Sequence, residues 1–258
     1  MAERPMVVER SGPVAWCSFD RPPLNLFEPA IIAALHDVFT ELAADRGVRV
    51  AVLSAAGRAF SAGMNVRVLA GLDAVGARTL IMRLHEAIEA VHHAPFPVVA
   101  AIHGPCLGAA FEVALACDLR VAAADATFGL PEVRVGVPSV IEAALLPPLV
   151  GPGRAAELLL TGDVIGAERA LAWGLVNRVV DGPALRAAVE DIVKKILAAG
   201  PRAIRLQKEL MLRWRYADLA TAVRHGIEAF AAAYATGEPA EGAAAFLAKR
   251  SPKFESAS

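Results

Sequence analysis

PVVAAIHGPCLGAAFEVALACDLRVAAA, residues 97–124, sets out the plan of the fold in one stretch. PVVAAIHG has the unbroken apolar run of a strand buried on both faces, and GPCLG reads as a loop. AAFEVALAC is a short helix, and DLRVAAA a further strand. Strands separated by helices argue for a mostly parallel sheet with helices packed on it. One residue sits oddly in this text. Glu112 stands inside GAAFEVALAC, where every other position is small or apolar. A carboxylate in such company is costly unless it is paired or protonated.

The same alternation extends outward. MVVER and VAWCSFD, separated by Ser11, Gly12 and Pro13, read as a hairpin. EPAIIAALHDVFTELAAD places Ile31, Ile32, Leu35, Val38, Phe39 and Leu42 at helical spacing. VRVAVLSA is a buried strand that runs into the loop AGRAFSAGMN. TLIMRLHEAIEAVHHA is an amphipathic helix stopped by PFP. GVPSVIEAALLPPLVG, GRAAELLLTG and GAERALAWGLVNRVV continue the pattern to Val180, after which the text is helical almost throughout. The chain is therefore expected to divide into an α/β core, 1–196, and a helical region, 197–258. The apolar stripes of that region must fold back on the core or on another subunit.

The totals exclude several classes. Lys and Arg number 26 against 27 Asp and Glu, a net charge of −1. That balance leaves no footprint for nucleic acid or an anionic membrane. No apolar stretch approaches the ~20 residues that span a bilayer. The start has no apolar run behind a basic region, so no signal peptide is expected. Cys17, Cys106 and Cys117 form no CxxC pair and lie in apolar contexts, which favours buried thiols in a reducing compartment. A soluble, cytoplasmic protein is the expectation. No GxGxxG follows the first strand, and His92, His93 and His103 lack partners at metal-ligand spacing. Neither a dinucleotide nor a metal is expected.

Two loops carry the chemistry. AFSAGMN and HGPCLGAAFE each follow the carboxyl end of a buried strand, and each is rich in Gly and Ala, which let backbone N–H groups approach a ligand. The second opens a helix, whose first N–H groups have no internal partner. Together they can offer two donors to one oxygen, an oxyanion hole. Small-residue loops also simply turn the chain. Glu112 lies one turn into that helix, and Glu132 follows in FGLPEVRVG, at a loop or helix-start position. Two glutamates near a polarised carbonyl can move protons as base and acid. Alternatively, Glu132 is a solvated helix-start acid and Glu112 the buried partner of an arginine.

GRAFSAGMN, HGPCLGAAFEVALACDLRVAAADATFGLPEVRVGV and ALAWGLVNRVV together resemble the enoyl-CoA hydratase/isomerase (crotonase) superfamily, in register from about Val7 to the final FLAKRSPKF. The resemblance implies a crotonase-like spiral of repeated ββα units with a helical C-terminal oligomerisation region. It also implies an assembly built on a homotrimer, alone or as a dimer of trimers. The family's FxAGxD motif is matched by Phe60, Ser61, Ala62, Gly63, Met64 and Asn65. By resemblance the Met64 N–H is one oxyanion donor, and the Ala62 carbonyl meets the adenine of coenzyme A. The loop from Gly104 to Ala110 is similar to the family's G-x-x-x-G-G-G, which makes the Ala109 N–H the second donor and places Gly108 against coenzyme A. Glu112 and Glu132 fall on the positions of the paired catalytic glutamates. Arg58 and Lys249 match basic residues that face the coenzyme A phosphates, and Phe246 matches one that packs near the adenine, often from a neighbouring subunit.

What the resemblance implies is hydration of a 2-enoyl-CoA thioester to a 3-hydroxyacyl-CoA, without a prosthetic group. A 3-enoyl to 2-enoyl-CoA isomerase, a thioester hydrolase, a decarboxylase and a non-catalytic coenzyme A-binding subunit are the alternatives. An acyl pocket is expected between residues 65–83 and the helices near Trp214 and Phe230. The chain departs from the family in three places. Asn65 replaces an aspartate, Ala109 and Ala110 replace glycines, and the IPG-x-GG-type segment after the second glutamate reads VRVGVPSVIEAALL. Ser139 and Val140 lie near the expected glycines there, and Glu142 adds a third carboxyl group to that region or else is the solvent side of VIEAALL.

Overall fold

The computed structural model describes residues 5–254. Among these residues nine strands form two sheets: β1 (Met6–Ser11), β2 (Val14–Phe19), β3 (Val50–Ala55), β4 (Val98–Ile102), β5 (Pro105–Leu107), β6 (Leu119–Ala123), β7 (Thr127–Gly129), β8 (Val164–Gly166) and β9 (Arg178–Val180). The larger sheet runs β1-β2-β3-β4-β6-β9 and the smaller β5-β7-β8. The hairpin closes through Gly12 and Pro13, with Ser11 opposite Val14 and Gly12 at φ +56°, a conformation that suits glycine. From β2 to β9 every neighbouring pair in the larger sheet is parallel.

Side chains alternate across this sheet, and both faces are covered. Cys17, Leu53, Ala100 and Ala122 point into a large core beneath the helices Pro29–Ala44, Ala74–His92 and Ala109–Ala116. Val14, Val50, Val52, Val99 and Val121 point the other way, against Val189 and Val193 of the helix Leu185–Leu197. Burial on both faces is why these strands read as continuous apolar runs. Phe19, Phe27 and Phe60 are fully buried, with Phe19 edge-on to the other two at centroid distances of 5.4 and 5.6 Å. Each such ring contributes about 1.5–3 kcal/mol of transfer free energy. Two of them flank the AFSAGMN loop and so hold it to the core.

Two sequence readings need correction here. GPCLG is not only a loop, because Pro105–Leu107 is a strand paired with β7. Glu142 does not face solvent: the turn Ile141–Leu145 packs on the helix Ala109–Ala116, which buries it. Short segments with mixed polarity carry too little periodicity to show either feature.

The helices Pro201–Trp214, Leu219–Tyr234 and Glu238–Leu247 lie towards the C-terminus. Lys208 ties the first of them to the sheet. It is buried and donates to Asp118 Oδ2 at 2.7 Å and to the Phe96 carbonyl at 3.1 Å, while Asp118 also accepts from the Val98 N–H. The helix Leu219–Tyr234 has no buried residue, and Leu219, Ile227 and Phe230 are exposed along it.

Candidate active site

The two loops meet through backbone pairing. Ser61 and Cys106 form a parallel bridge, with the Ser61 N–H donating to the Pro105 carbonyl at 2.9 Å and the Leu107 N–H to the Ser61 carbonyl at 3.1 Å. Three residues on from each partner come Met64 and Ala109. A second bridge pairs Phe27 with Met64, the Phe27 N–H donating to the Gly63 carbonyl and the Asn65 N–H to the Phe27 carbonyl, both at 2.8 Å. Successive peptide groups of an extended strand point to opposite sides, so the Met64 N–H is turned away from Phe27. Ala109 opens its helix, so its N–H has no acceptor within that helix. Both residues line one cavity of about 580 Å³, and Glu112 and Glu132 line it too. That volume is ordinary for a small-molecule site.

Glycine is required at two points. Gly63 and Gly108 have φ of +88° and +54°, and a Cβ on Gly63 would lie 2.8 Å from the Leu107 carbonyl oxygen. A Cβ on Gly108 would lie 2.7 Å from Glu132 Oε1. The second catalytic candidate therefore rests directly over Gly108 and the start of the helix Ala109–Ala116. Ala109, by contrast, is helical and has no positive φ, so alanine keeps its N–H available there. Asn65 caps the short helix Val66–Leu69, its Oδ1 accepting from the Arg67 N–H at 3.1 Å, which an amide does as an aspartate would.

The residues after Glu132 hold both carboxyls. Ser139 Oγ donates to Glu132 Oε2 at 2.7 Å, and the Ala143 N–H donates to Glu112 Oε1 at 3.0 Å. Glu112 is buried, and among the described residues no cation pairs with it. Burial pushes its carboxyl well above the ordinary glutamate range, the Glu132 charge pushes the same way, and the Ala143 N–H opposes them. The arginine that is buried nearby, Arg120, serves another purpose. It donates to the carbonyls of Ala114, Cys117 and Leu175, closing the far end of the same helix. The salt-bridge explanation of Glu112 is thus not realised.

Other expected site residues are more dispersed. Ala62, Gly63 and Gly108 line the cavity. Arg58 is exposed on the loop before Phe60. Phe246 and Lys249 are exposed near the C-terminus and do not line the cavity within this chain, and nor do Trp214 and Phe230. The cavity is instead walled by Leu69, Leu80, Ile81 and Leu84, partly within the expected 65–83, and by side chains of the segment from Pro131 to Val140. The expectation for Trp214 and Phe230 is therefore corrected, because the helices that bear them lie elsewhere on the chain.

Several residues escaped the sequence reading. Asn25 is buried at φ +48°, and its Nδ2 donates to the Ala56 and Ala59 carbonyls at 2.7 and 2.9 Å, which holds the loop between β3 and Phe60. An Asn after two prolines signals a turn, not a long-range tether. His85, Glu89 and Glu142 place one ligand-type atom each within 4.8 Å of one another. His85 Nδ1 lies 2.6 Å from Glu142 Oε1. Burial raises the Glu142 carboxyl and the His85 contact opposes it. Cys17, Cys106 and Cys117 are buried free thiols, as their apolar contexts suggested.

Solved structures give the architecture its class. A crystal structure of an enoyl-CoA hydratase from Bacillus anthracis superposes with a TM-score of 0.93 at 32% identity, covering 98% of this chain and 100% of that one. One from Mycobacterium smegmatis gives 0.94 at 32% identity, covering 98% and 99%. The fold is the crotonase fold, an α/β spiral with a helical C-terminal region. The sequence profile of the enoyl-CoA hydratase/isomerase family matches residues 9–257. A crotonyl-CoA hydratase from Syntrophomonas wolfei is 35% identical over 98% of this chain and 99% of its own length. A short-chain-enoyl-CoA hydratase from Clostridium acetobutylicum is 32% identical over 95% of each. The chain belongs to the enoyl-CoA hydratase/isomerase family.

Proposed function

We propose that this protein adds water across the double bond of a 2-enoyl-CoA, giving the 3-hydroxyacyl-CoA. The observation that carries the reading is the placement of two glutamates on one cavity with two backbone donors. The thioester oxygen sits between the N–H groups of Met64 and Ala109, which stabilise the negative charge that develops there. One carboxylate takes a proton from water as its oxygen bonds the β-carbon, and the other, protonated, supplies the α-carbon. The enzyme as a whole gains and loses no proton. The backbone and two carboxyls suffice for this chemistry, so no prosthetic group is needed. A 3-enoyl isomerase requires only one such base, and the second carboxyl on the cavity favours hydration.

Coenzyme A enters beside Ala62 and Gly108, with Arg58 near its phosphates. Phe246 and Lys249 complete the nucleotide site from a neighbouring subunit, which accounts for their exposure here. The region 197–258 is the oligomerisation unit on a 1–196 core, in a homotrimer or a dimer of trimers. No described helix is long and apolar enough to cross a membrane, and the buried thiols suit the cytoplasm. Light scattering is expected to give a trimer-based mass, and Ile227→Asp with Phe230→Asp to lower it without unfolding the chain.

The direct test is crotonyl-CoA. Purified protein is expected to remove its conjugated enoyl-thioester absorbance, and unchanged absorbance with short and medium enoyl-CoAs would sink the reading. Glu112→Gln and Glu132→Gln are each expected to cut turnover by about 10²–10⁴-fold while coenzyme A binding persists.

A further inference from the structure

The helix Ala74–His92 and the turn Ile141–Leu145 meet beside the cavity, and one side-chain pair joins them. His85 Nδ1 lies 2.6 Å from Glu142 Oε1. Glu142 is 6% exposed, and its other oxygen, Oε2, is buried with no hydrogen-bond partner. His85 is the one side chain that bonds it among the described residues. Two other charged groups face it: Glu89, one turn further along the same helix, and Glu112, whose carboxyl its charge pushes up.

The placement of this costly carboxylate is informative. The next residue is Ala143, whose N–H holds Glu112. The preceding residue, Ile141, has φ +46°, a conformation in which a β-branched side chain persists only when its surroundings impose it. A turn strained on one side of Glu142 and holding a catalytic candidate on the other requires an anchor. His85 supplies it from outside the turn. It follows Leu84, which with Leu80 and Ile81 walls the cavity.

We propose that His85 and Glu142 are a positioning pair for the reaction: they fasten the turn to that wall and thereby hold Glu112, through the Ala143 N–H, in its reacting orientation. Neither lines the cavity, so neither is a catalytic residue. The proposal rests on the hydratase reading and adds a distinct expectation to it. The walls that bind substrate stay in place when the pair is broken, so KM is spared and kcat is not.

The experiment is steady-state hydration of crotonyl-CoA by the full-length protein and three variants. His85→Ala, at a half-exposed position that leaves the core intact, is expected to lower kcat about tenfold, the rate equivalent of about 1.4 kcal/mol. Its KM is expected to stay within about twofold, since uniform binding is untouched. Glu142→Ala is expected to match it, while Glu142→Gln, which keeps an acceptor for the His85 N–H, retains most of the wild-type kcat. Circular dichroism confirms that each variant is folded. An unchanged kcat in His85→Ala overturns the proposal. So does a loss carried by KM alone, or a Glu142→Gln variant as impaired as Glu142→Ala. If wild-type protein itself leaves crotonyl-CoA unchanged, the hydratase reading falls first and takes this one with it.

Discussion

Two helices of similar composition have opposite fates in this molecule. AAFEVALA, Ala109–Ala116, has every residue buried, and LATAVRHGIEAFAAAY, Leu219–Tyr234, has none. Alanine dominates both. The first is enclosed by sheet, helices and the turn Ile141–Leu145, so its single carboxyl is confined in an apolar interior. The second lies on the surface of the single chain and keeps Leu219, Ile227 and Phe230 exposed. Burial shifts the titration of the first helix's one carboxyl, whereas exposure leaves the second helix's apolar residues facing solvent.

The joint between the two regions offers the largest perturbation. Lys208→Met removes the cation that links the helix Pro201–Trp214 to Asp118 and leaves that carboxylate partly buried. Urea denaturation is expected to register a loss of about 3–5 kcal/mol. If the loss is negligible, the outer helices are anchored by packing alone and the contrast between inside and outside is less sharp. Gly108→Ala attacks the inner helix at its start, where the new methyl meets Glu132 Oε1 and the backbone needs a positive φ. Turnover of crotonyl-CoA is expected to fall by about 10²-fold or more, as a misplacement near 1 Å would produce.

A smaller effect tests whether Glu112 is held in its protonated form. A raised carboxyl binds its proton more tightly in the folded state than in the unfolded one, so stability falls as pH rises from the ordinary glutamate range to the raised value. Glu112→Gln lacks that proton equilibrium. Thermal melts are expected to show the variant gaining several degrees over wild type at pH 8 and no advantage near pH 4. An equal offset at both pH values would mean that Glu112 carries no shifted titration. Smallest of the four is Ser139→Ala, which deletes one donor to Glu132. Its kcat is expected to drop about tenfold at most, read on the same substrate, because Glu132 keeps its seat beside Gly108.

Much of this was legible beforehand, and unevenly. PVVAAI, VRVAVLSA and DLRVAAA announced buried parallel strands because burial on both faces leaves no polar alternation. The Gly and Ala loops and the two glutamates stood out as bare backbone and confined carboxyls, and the structure brings them to one cavity. Of the two readings of Glu142 the solvent-facing one fails, because VIEAALL has the period of a surface helix while the chain folds it as a tight turn over another helix. Asn25 and His85 act across 31 and 57 residues of sequence, respectively, to Ala56 and Glu142, and no local pattern reports such reach. Phe246 and Lys249 were placed at the coenzyme by resemblance, and a single chain does not bring them to the cavity.

The bridge between Ser61 and Cys106 has a consequence for change by mutation. Both proposed donors are main-chain groups three residues beyond that bridge, so their spacing is fixed by chain length and is indifferent to side-chain identity. Methionine at 64 is open to replacement by residues that keep the backbone and fill its half-buried place, whereas Ala109 is buried and accepts only a residue near its own size. A single inserted residue in either loop would move one donor by about 3.3 Å relative to the other. The site can thus be retuned by substitution but not by insertion or deletion, and a library meant to alter its selectivity should vary letters there and leave the count alone.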